Sequence, residues 1–309
     1  MLRKFVILIA IIAGLGFAAF WLLTIPATVP ASALPPHTAN LANGRTMFFA
    51  GGCPACHAAD KDNPTRLGGG LALKSPFGTF YTPNISPDPN DGIGAWSEAE
   101  FVTAMVKGTS PDGRHYYPAF PYTSYQRMLF ADLRDLFAYL KTLPTVQGKV
   151  REHTLPDHFK IRRTLGVWKF LFLDGAPFKP DPEKPADWNR GAYLVNGPSH
   201  CAECHSPRNT LSGIMRSQNF SGAADPDPAG EGWIPNITQH ALKDWSEKDI
   251  ADMFETGDIP DDKVGGSMVA VIRNTSQLSP QDRAAMAVYL KSLPPVEGLP
   301  KPKKLPEKK

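Results

Sequence analysis

Cys53-Pro54-Ala55-Cys56-His57 and Cys201-Ala202-Glu203-Cys204-His205 hold all four cysteines of the chain. Each is a C-x-x-C-H arrangement, the spacing used to attach haem c. Two thiols add to the two vinyl groups of one haem, and the adjacent histidine is then held under the ring, where an imidazole nitrogen reaches the iron as proximal ligand. The rivals fit poorly. A zinc ribbon wants its cysteine pairs about 15 to 20 residues apart, and a thioredoxin-type dithiol wants a βαβ context. These pairs stand 148 residues apart, and no such strand pattern surrounds them. The expectation is two covalently bound haem c groups, attached through Cys53, Cys56, Cys201 and Cys204, with His57 and His205 as proximal iron ligands.

Outward from these motifs the chain repeats itself at an offset near 150. Gly44 matches Gly191, Trp96-Ser97-Glu98 matches Trp245-Ser246-Glu247, Tyr139-Leu140-Lys141 matches Tyr289-Leu290-Lys291, and Pro83-Asn84-Ile85 returns as Pro235-Asn236-Ile237. Two copies of one domain are indicated. Each copy reads as a helix before the cysteine pair, a Gly/Pro-rich stretch after it, a middle helix and a final helix. Ser97-x-x-Glu100 is a capping box that opens the first middle helix, and Ser246-x-x-Asp249 opens the second. Ser279-Pro280 starts the last helix, with serine as N-cap and proline in the first turn. The copies are expected at residues 39–147 and 188–296, joined by a connecting segment, 148–187. That segment is rich in charge and proline but contains Leu165 to Leu173, an apolar stretch that argues against a free linker.

After Arg3 and Lys4 runs an uncharged stretch of nineteen residues, Phe5 to Leu23. As a helix it would span about 28 Å, close to one bilayer core. It is read as an N-terminal membrane anchor, residues 1–23, followed by a linker, 24–38. The competing reading is a signal peptide cleaved at Ala31-Ser32-Ala33. Either way the two basic residues stay cytoplasmic and the remaining chain is exported. The expected location is therefore the cell inner membrane, single-pass, with the haem domains in the periplasm. The net charge of +3 is too mild to argue for a nucleic-acid partner, and five lysines fall in the last nine residues, part of a solvated, disordered tail at 297–309.

The haem motifs and their surroundings resemble the class I cytochrome c fold, and more closely the multihaem cytochrome c subunits of membrane-bound bacterial dehydrogenases for alcohols, aldehydes and sugar acids. The stretches that carry the resemblance are Tyr81-Thr-Pro-Asn-Ile-Ser86, Gly92-Ile-Gly-Ala-Trp-Ser-Glu98, Tyr117-Pro-Ala-Phe-Pro-Tyr-Thr-Ser-Tyr125, Trp188-Asn-Arg-Gly-Ala-Tyr-Leu-Val195 and Cys201-x-x-Cys-His-Ser-Pro-Arg-Asn209. Members of this kind often carry three haem motifs, and this chain has two. The resemblance implies an all-α chain, two tandem class I cytochrome c domains behind an N-terminal transmembrane helix. It also implies a methionine thioether as the sixth iron ligand, a soft donor that favours Fe(II).

For the second haem that ligand is expected to be Met268, in the helix-free stretch Gly265-Gly266-Ser267-Met268; Met253 and Met286 lie on apolar helix faces. In the first copy, Phe120 stands where the family often has methionine, and phenylalanine cannot ligate iron. Met128 is the nearest thioether ahead of the final helix and is the expected ligand, with Met105 and His115 as alternatives. His37, His153, His158, His200 and His240 read as surface or hydrogen-bonded residues.

Two function classes follow. One is an electron-transfer component serving a periplasmic dehydrogenase of PQQ, flavin or molybdenum type and feeding a downstream cytochrome or oxidase; the other is a two-haem peroxidase, an enzyme with one openable iron site. Both irons closed by methionine, and an anchor that holds a partner at the membrane, favour the carrier.

Overall fold

The computed structural model describes residues 1–60, 62–227, 232–260 and 262–300. The lysine-rich end of the expected tail, 301–309, lies outside the described residues. The architecture is mostly helical: thirteen α-helices are accompanied by three two-stranded hairpins among the described residues.

Helix α1 (Leu2–Leu23) is long and apolar, and none of it is buried. The chain after it is stitched onto the first copy: the Val29 amide donates to Thr103 Oγ1 at 2.9 Å, and His37 Nε2 meets Asp135 Oδ1 at 2.6 Å. The first copy is built on α2 (Leu41–Ala50), α3 (Cys53–His57), α4 (Glu98–Lys107), α5 (Tyr122–Tyr125) and α6 (Phe130–Leu140). After the connecting helix α7 (Leu165–Phe172), the second copy uses α8 (Ala186–Asn196), α9 (Ala202–His205), α10 (Gln239–Leu242), α11 (Glu247–Thr256), α12 (Met268–Thr275) and α13 (Pro280–Ser292).

The N-terminal and C-terminal helices of each copy pack on one another, α2 on α6 and α8 on α13. Gly44 and Gly191 make the two crossings possible. A Cβ on Gly44 would stand 2.7 Å from Tyr139 Cβ, and one on Gly191 would stand 2.9 Å from Tyr289 Cβ and 2.5 Å from the Ala285 carbonyl carbon. The repeated glycines and tyrosines of the sequence are thus partners in one contact. Both capping boxes form, and Ser279 caps α13 by accepting from the Asp282 amide at 3.0 Å. The amphipathic faces they start are buried. Phe101 of α4 stacks on Phe137 of α6 at 4.8 Å, and Ile250 and Phe254 of α11 are closed under α13. Each such side chain contributes roughly 1.5–3 kcal/mol on leaving water.

The Gly/Pro-rich stretches hold the hairpins. β1 (Ala72–Ser75) pairs antiparallel with β2 (Gly78–Tyr81), and Thr154 from the connecting segment adds a two-bond bridge to Thr79. β3 (Ala223–Ala224) pairs with β4 (Trp233–Ile234), and β5 (Asp258–Ile259) with β6 (Asp262–Lys263). These pieces are too short to give the alternating pattern that would betray a strand in sequence.

Candidate functional site

Gly52, with φ +59, turns the end of α2 directly into α3, so that Cys53, Cys56 and His57 follow a buried helix without a loop. The two histidines are then fixed in the same way. His57 Nδ1 lies 2.8 Å from the Pro83 carbonyl oxygen, and His205 Nδ1 lies 2.8 Å from that of Pro235. A carbonyl can only accept, so each Nδ1 carries the hydrogen and each Nε2 keeps its lone pair for a metal. Burial lowers the pKa of both imidazoles, which keeps them neutral and able to ligate. The accepting carbonyls are held in turn. Asn84 Nδ2 donates to the Val146 carbonyl and Asn236 Nδ2 to that of Val296, both at 2.6 Å. This is the role of the repeated Pro-Asn-Ile, which the sequence showed only as a recurrence.

No disulfide joins the four cysteines, and Cys53 and Cys201 pack against the main apolar cluster. Burial pushes both up to about 12. Thiols in that setting stay protonated until they react. Among the described residues no cluster of three His, Cys, Asp or Glu side chains could hold a metal ion by itself. Two protonated thiols beside a neutral, oriented imidazole fit a covalently attached haem at each motif.

The distal candidates fall in several places. Met128 is 1% exposed, two residues ahead of α6. Leu278 is 4% exposed, two residues ahead of α13, so Met128 and Leu278 occupy the same place in the two copies. Phe120 is part of an aromatic cluster, with ring centroids 5.6 Å from Tyr116 and 5.6 Å from Tyr125. Met268 does not lie in a helix-free stretch: it is the first residue of α12. Gly265 and Gly266, the latter at φ +58, end the loop, and the apolar Val269–Ile272 spacing starts a helix at once, with Ile272 buried beneath it. Met105, on α4 beside Phe101, is 6% exposed in the core. His115 is buried, and its Nε2 meets the Thr24 carbonyl at the end of α1 at 2.9 Å. Of the remaining histidines, His153 Nδ1 accepts from the Tyr81 amide at 3.1 Å, and His158 and His240 are exposed.

The two motifs meet at the seam between the copies. The Thr123 and Ser124 hydroxyls of α5 donate to Glu203 Oε1, inside the second motif, at 2.5 and 2.8 Å, while Arg208 donates to Glu203 Oε2 at 2.6 Å. Tyr125 Oη and His200 Nε2 both reach the Gly51 carbonyl, at 3.2 and 3.3 Å. In the reverse direction α12 packs on α2 and α3. After burial, the next cause raising the Cys56 pKa is Cys204, a thiol of the other motif. Each copy therefore lays its last short helix against the other copy's haem motif. His200, read from sequence as a surface or hydrogen-bonded residue, is a seam residue at φ +41, buried enough that its pKa falls.

The family profile described as Cytochrome c matches residues 41–144 and again 189–294. Among similar proteins, a "Diheme cytochrome c-type" protein of Cereibacter sphaeroides is 44% identical over 293 residues, covering 94% of this chain and 97% of its own. The "Fructose dehydrogenase cytochrome subunit" of Gluconobacter japonicus is 36% identical over 86% of this chain and 54% of its own. The "Gluconate 2-dehydrogenase cytochrome c subunit" of Pantoea cypripedii is 33% identical over 86% of this chain and 63% of its own. The chain thus spans nearly all of the first relative but between half and two thirds of the other two.

Proposed function

The chain belongs to the cytochrome c family and carries two covalently bound haem c groups, and from that premise we propose that it is the membrane-anchored electron carrier of a dehydrogenase complex. It would take electrons from a periplasmic dehydrogenase partner and deliver them to a downstream cytochrome or oxidase. Relatives named as cytochrome subunits of dehydrogenases favour the carrier over the peroxidase reading.

The observation that carries the proposal is the seam. A carrier with two centres needs them close and fixed, and here the second motif is braced by the first copy through Thr123 and Ser124 on Glu203, and the first motif by the second copy through His200 on the Gly51 carbonyl. Bound haem supplies one-electron chemistry at each site. The chain's residues orient the proximal imidazoles through Pro83 and Pro235, exclude water with the apolar cluster around Cys53 and Cys201, and hold the seam by charge-assisted bonds. Met128 and Met268 are the proposed sixth ligands. Both are methionines ahead of a final helix, and Leu278 replaces methionine in the second copy at the place where Met128 stands in the first. Residues 39–147 and 188–296 are the proposed haem domains. α1, 22 residues long with none of them buried, is the proposed single-pass anchor, with Arg3 and Lys4 on the cytoplasmic side.

Membranes containing the full chain test the reading. Fructose, gluconate or an alcohol, added in turn, should reduce the haem absorbance of the anchored protein through its partner. Rapid, saturable turnover of hydrogen peroxide by the reduced protein, with no reduction by any of these donors, would overturn it.

A further inference from the structure

α7 is amphipathic the wrong way round for a helix on a water-soluble surface. Its buried positions are Gly166 and Lys169, while Val167, Phe170 and Leu171 are 41%, 68% and 55% exposed. Lys169 Nζ donates inward to the carbonyls of Lys107 and Gly108, at 2.7 and 2.5 Å, and closes the C-terminal end of α4. The polar group of the helix is spent on the protein, and the apolar groups face outward.

The helix is also fastened to the end of α1. A Cβ on Gly166 would stand 2.6 Å from Thr24 Cα, so the two backbones touch. Arg163, just ahead of α7, donates from Nε to Thr24 Oγ1 at 2.8 Å and from Nη2 to the Trp21 carbonyl at 2.5 Å, and its guanidinium lies 4.3 Å from the Trp21 ring centroid. His115 holds the Thr24 carbonyl from the other side. Leu211, 57% exposed, extends the apolar surface, its carbonyl accepting from Trp168 Nε1 at 2.8 Å. Trp21, Leu22 and Leu23 at the end of α1, and Ile25 just after it, all more than half exposed, continue it.

The length of α1 sets the depth of this patch. Its 22 residues rise about 33 Å, slightly more than a hydrocarbon core of about 30 Å. With Arg3 and Lys4 at one face of the bilayer, Thr24 comes out at the other, and α7 is held at that level. Arginine and tryptophan beside an apolar face are the composition of an interfacial contact. We propose that α7 is a second membrane contact, lying in the plane of the lipid interface with Val167, Phe170 and Leu171 among the upper acyl chains and Arg163 at the headgroups. The occupant of the patch is the bilayer surface itself. This rests on the reading of α1 as an anchor.

The test uses the full haem-loaded chain in vesicles of phosphatidylcholine and phosphatidylglycerol. The photocrosslinking residue p-benzoylphenylalanine replaces in turn Phe17 of α1, Phe170 of α7 and Lys248, exposed on α11. The unchanged haem spectrum checks folding of each variant. The expected result is lipid adducts at positions 17 and 170, the latter at least about tenfold above position 248. Adducts at 17 with no excess at 170 over 248 would overturn the inference and leave the anchor standing. A crosslink from 170 to a second copy of the chain in place of lipid would overturn it too. Absence of lipid adducts at 17 would overturn the anchor reading, and the inference with it.

Discussion

Gly44→Ala adds one methyl group to the crossing of α2 and α6. The new Cβ would stand 2.7 Å from Tyr139 Cβ and 2.7 Å from the Asp135 carbonyl carbon, with the Asp135 oxygen closer still. Carbon atoms pack at about 3.5–4.0 Å, so the helices must separate by about 1 Å. The obstacles are backbone and a Cβ, which cannot swing aside. Overpacking of this kind costs about 3 kcal/mol or more, and the better helix propensity of alanine returns about 1 kcal/mol, leaving a net loss of about 2 kcal/mol or more. Met128 lies two residues before α6, so a displaced α6 also moves the proposed ligand of the first haem. Urea unfolding of the haem-loaded protein should show the loss of stability, and the absorbance spectrum of the first haem should change with it. Gly14→Ala, inside α1 where nothing lies within 4 Å, is the control and should cause no loss of stability. If Gly44→Ala unfolds within about 0.5 kcal/mol of the parent, as an ordinary surface substitution does, the close crossing is not what holds α2 on α6.

Three further outcomes are expected. Replacing Cys53 and Cys56 by alanine should lower the intact mass by one haem relative to the doubly loaded chain and leave the second haem attached; an unchanged haem content refutes the attachment. Met128→Leu should abolish the thioether ligation of the first haem and lower its potential by on the order of 0.1 V, within the roughly 0.8 V over which axial ligands act; redox titration that finds both potentials unmoved points instead to Met105. Burial lowers Lys169 to about 7, so between that value and its ordinary 10.5 the unfolded chain binds a proton that the folded chain does not. Stability should therefore rise with pH across this window, by at most about 1.4 kcal/mol per pH unit, less whatever the two accepting carbonyls contribute to the charged form. Unfolding of Lys169→Met at pH 7, 8 and 9 should show a shallower rise than the parent; equal slopes would refute the assignment.

Cysteine spacing, the offset near 150 and the serine caps make the haem motifs and the principal helices legible in the sequence, because each is a local pattern of side chains. The acceptors for His57 and His205 are not legible, since a carbonyl of Pro83 or Pro235 carries no signature of its own; only the recurrence of Pro-Asn-Ile hints at a shared task. The seam is hidden for another reason. Thr123 and Glu203 are 80 residues apart, and a hydroxyl meeting a carboxylate at that separation leaves no periodicity. Met268 reads as a loop residue because a Gly-Gly pair signals a loop, yet the helix begins immediately after it.

The matched positions of Met128 and Leu278 bear on how two copies of one module could come to differ. On the proposed ligation, the fold offers two shelves from which a thioether can be delivered: one just ahead of α5 or at the first residue of α12, and one just before the final helix. Each copy fills one shelf with methionine and the other with an inert apolar side chain, Phe120 in the first and Leu278 in the second. A copy with methionine on both shelves would never lack a donor. The ligand could thus migrate between shelves through single-residue steps, each compatible with a closed iron, while the backbone stayed where it was.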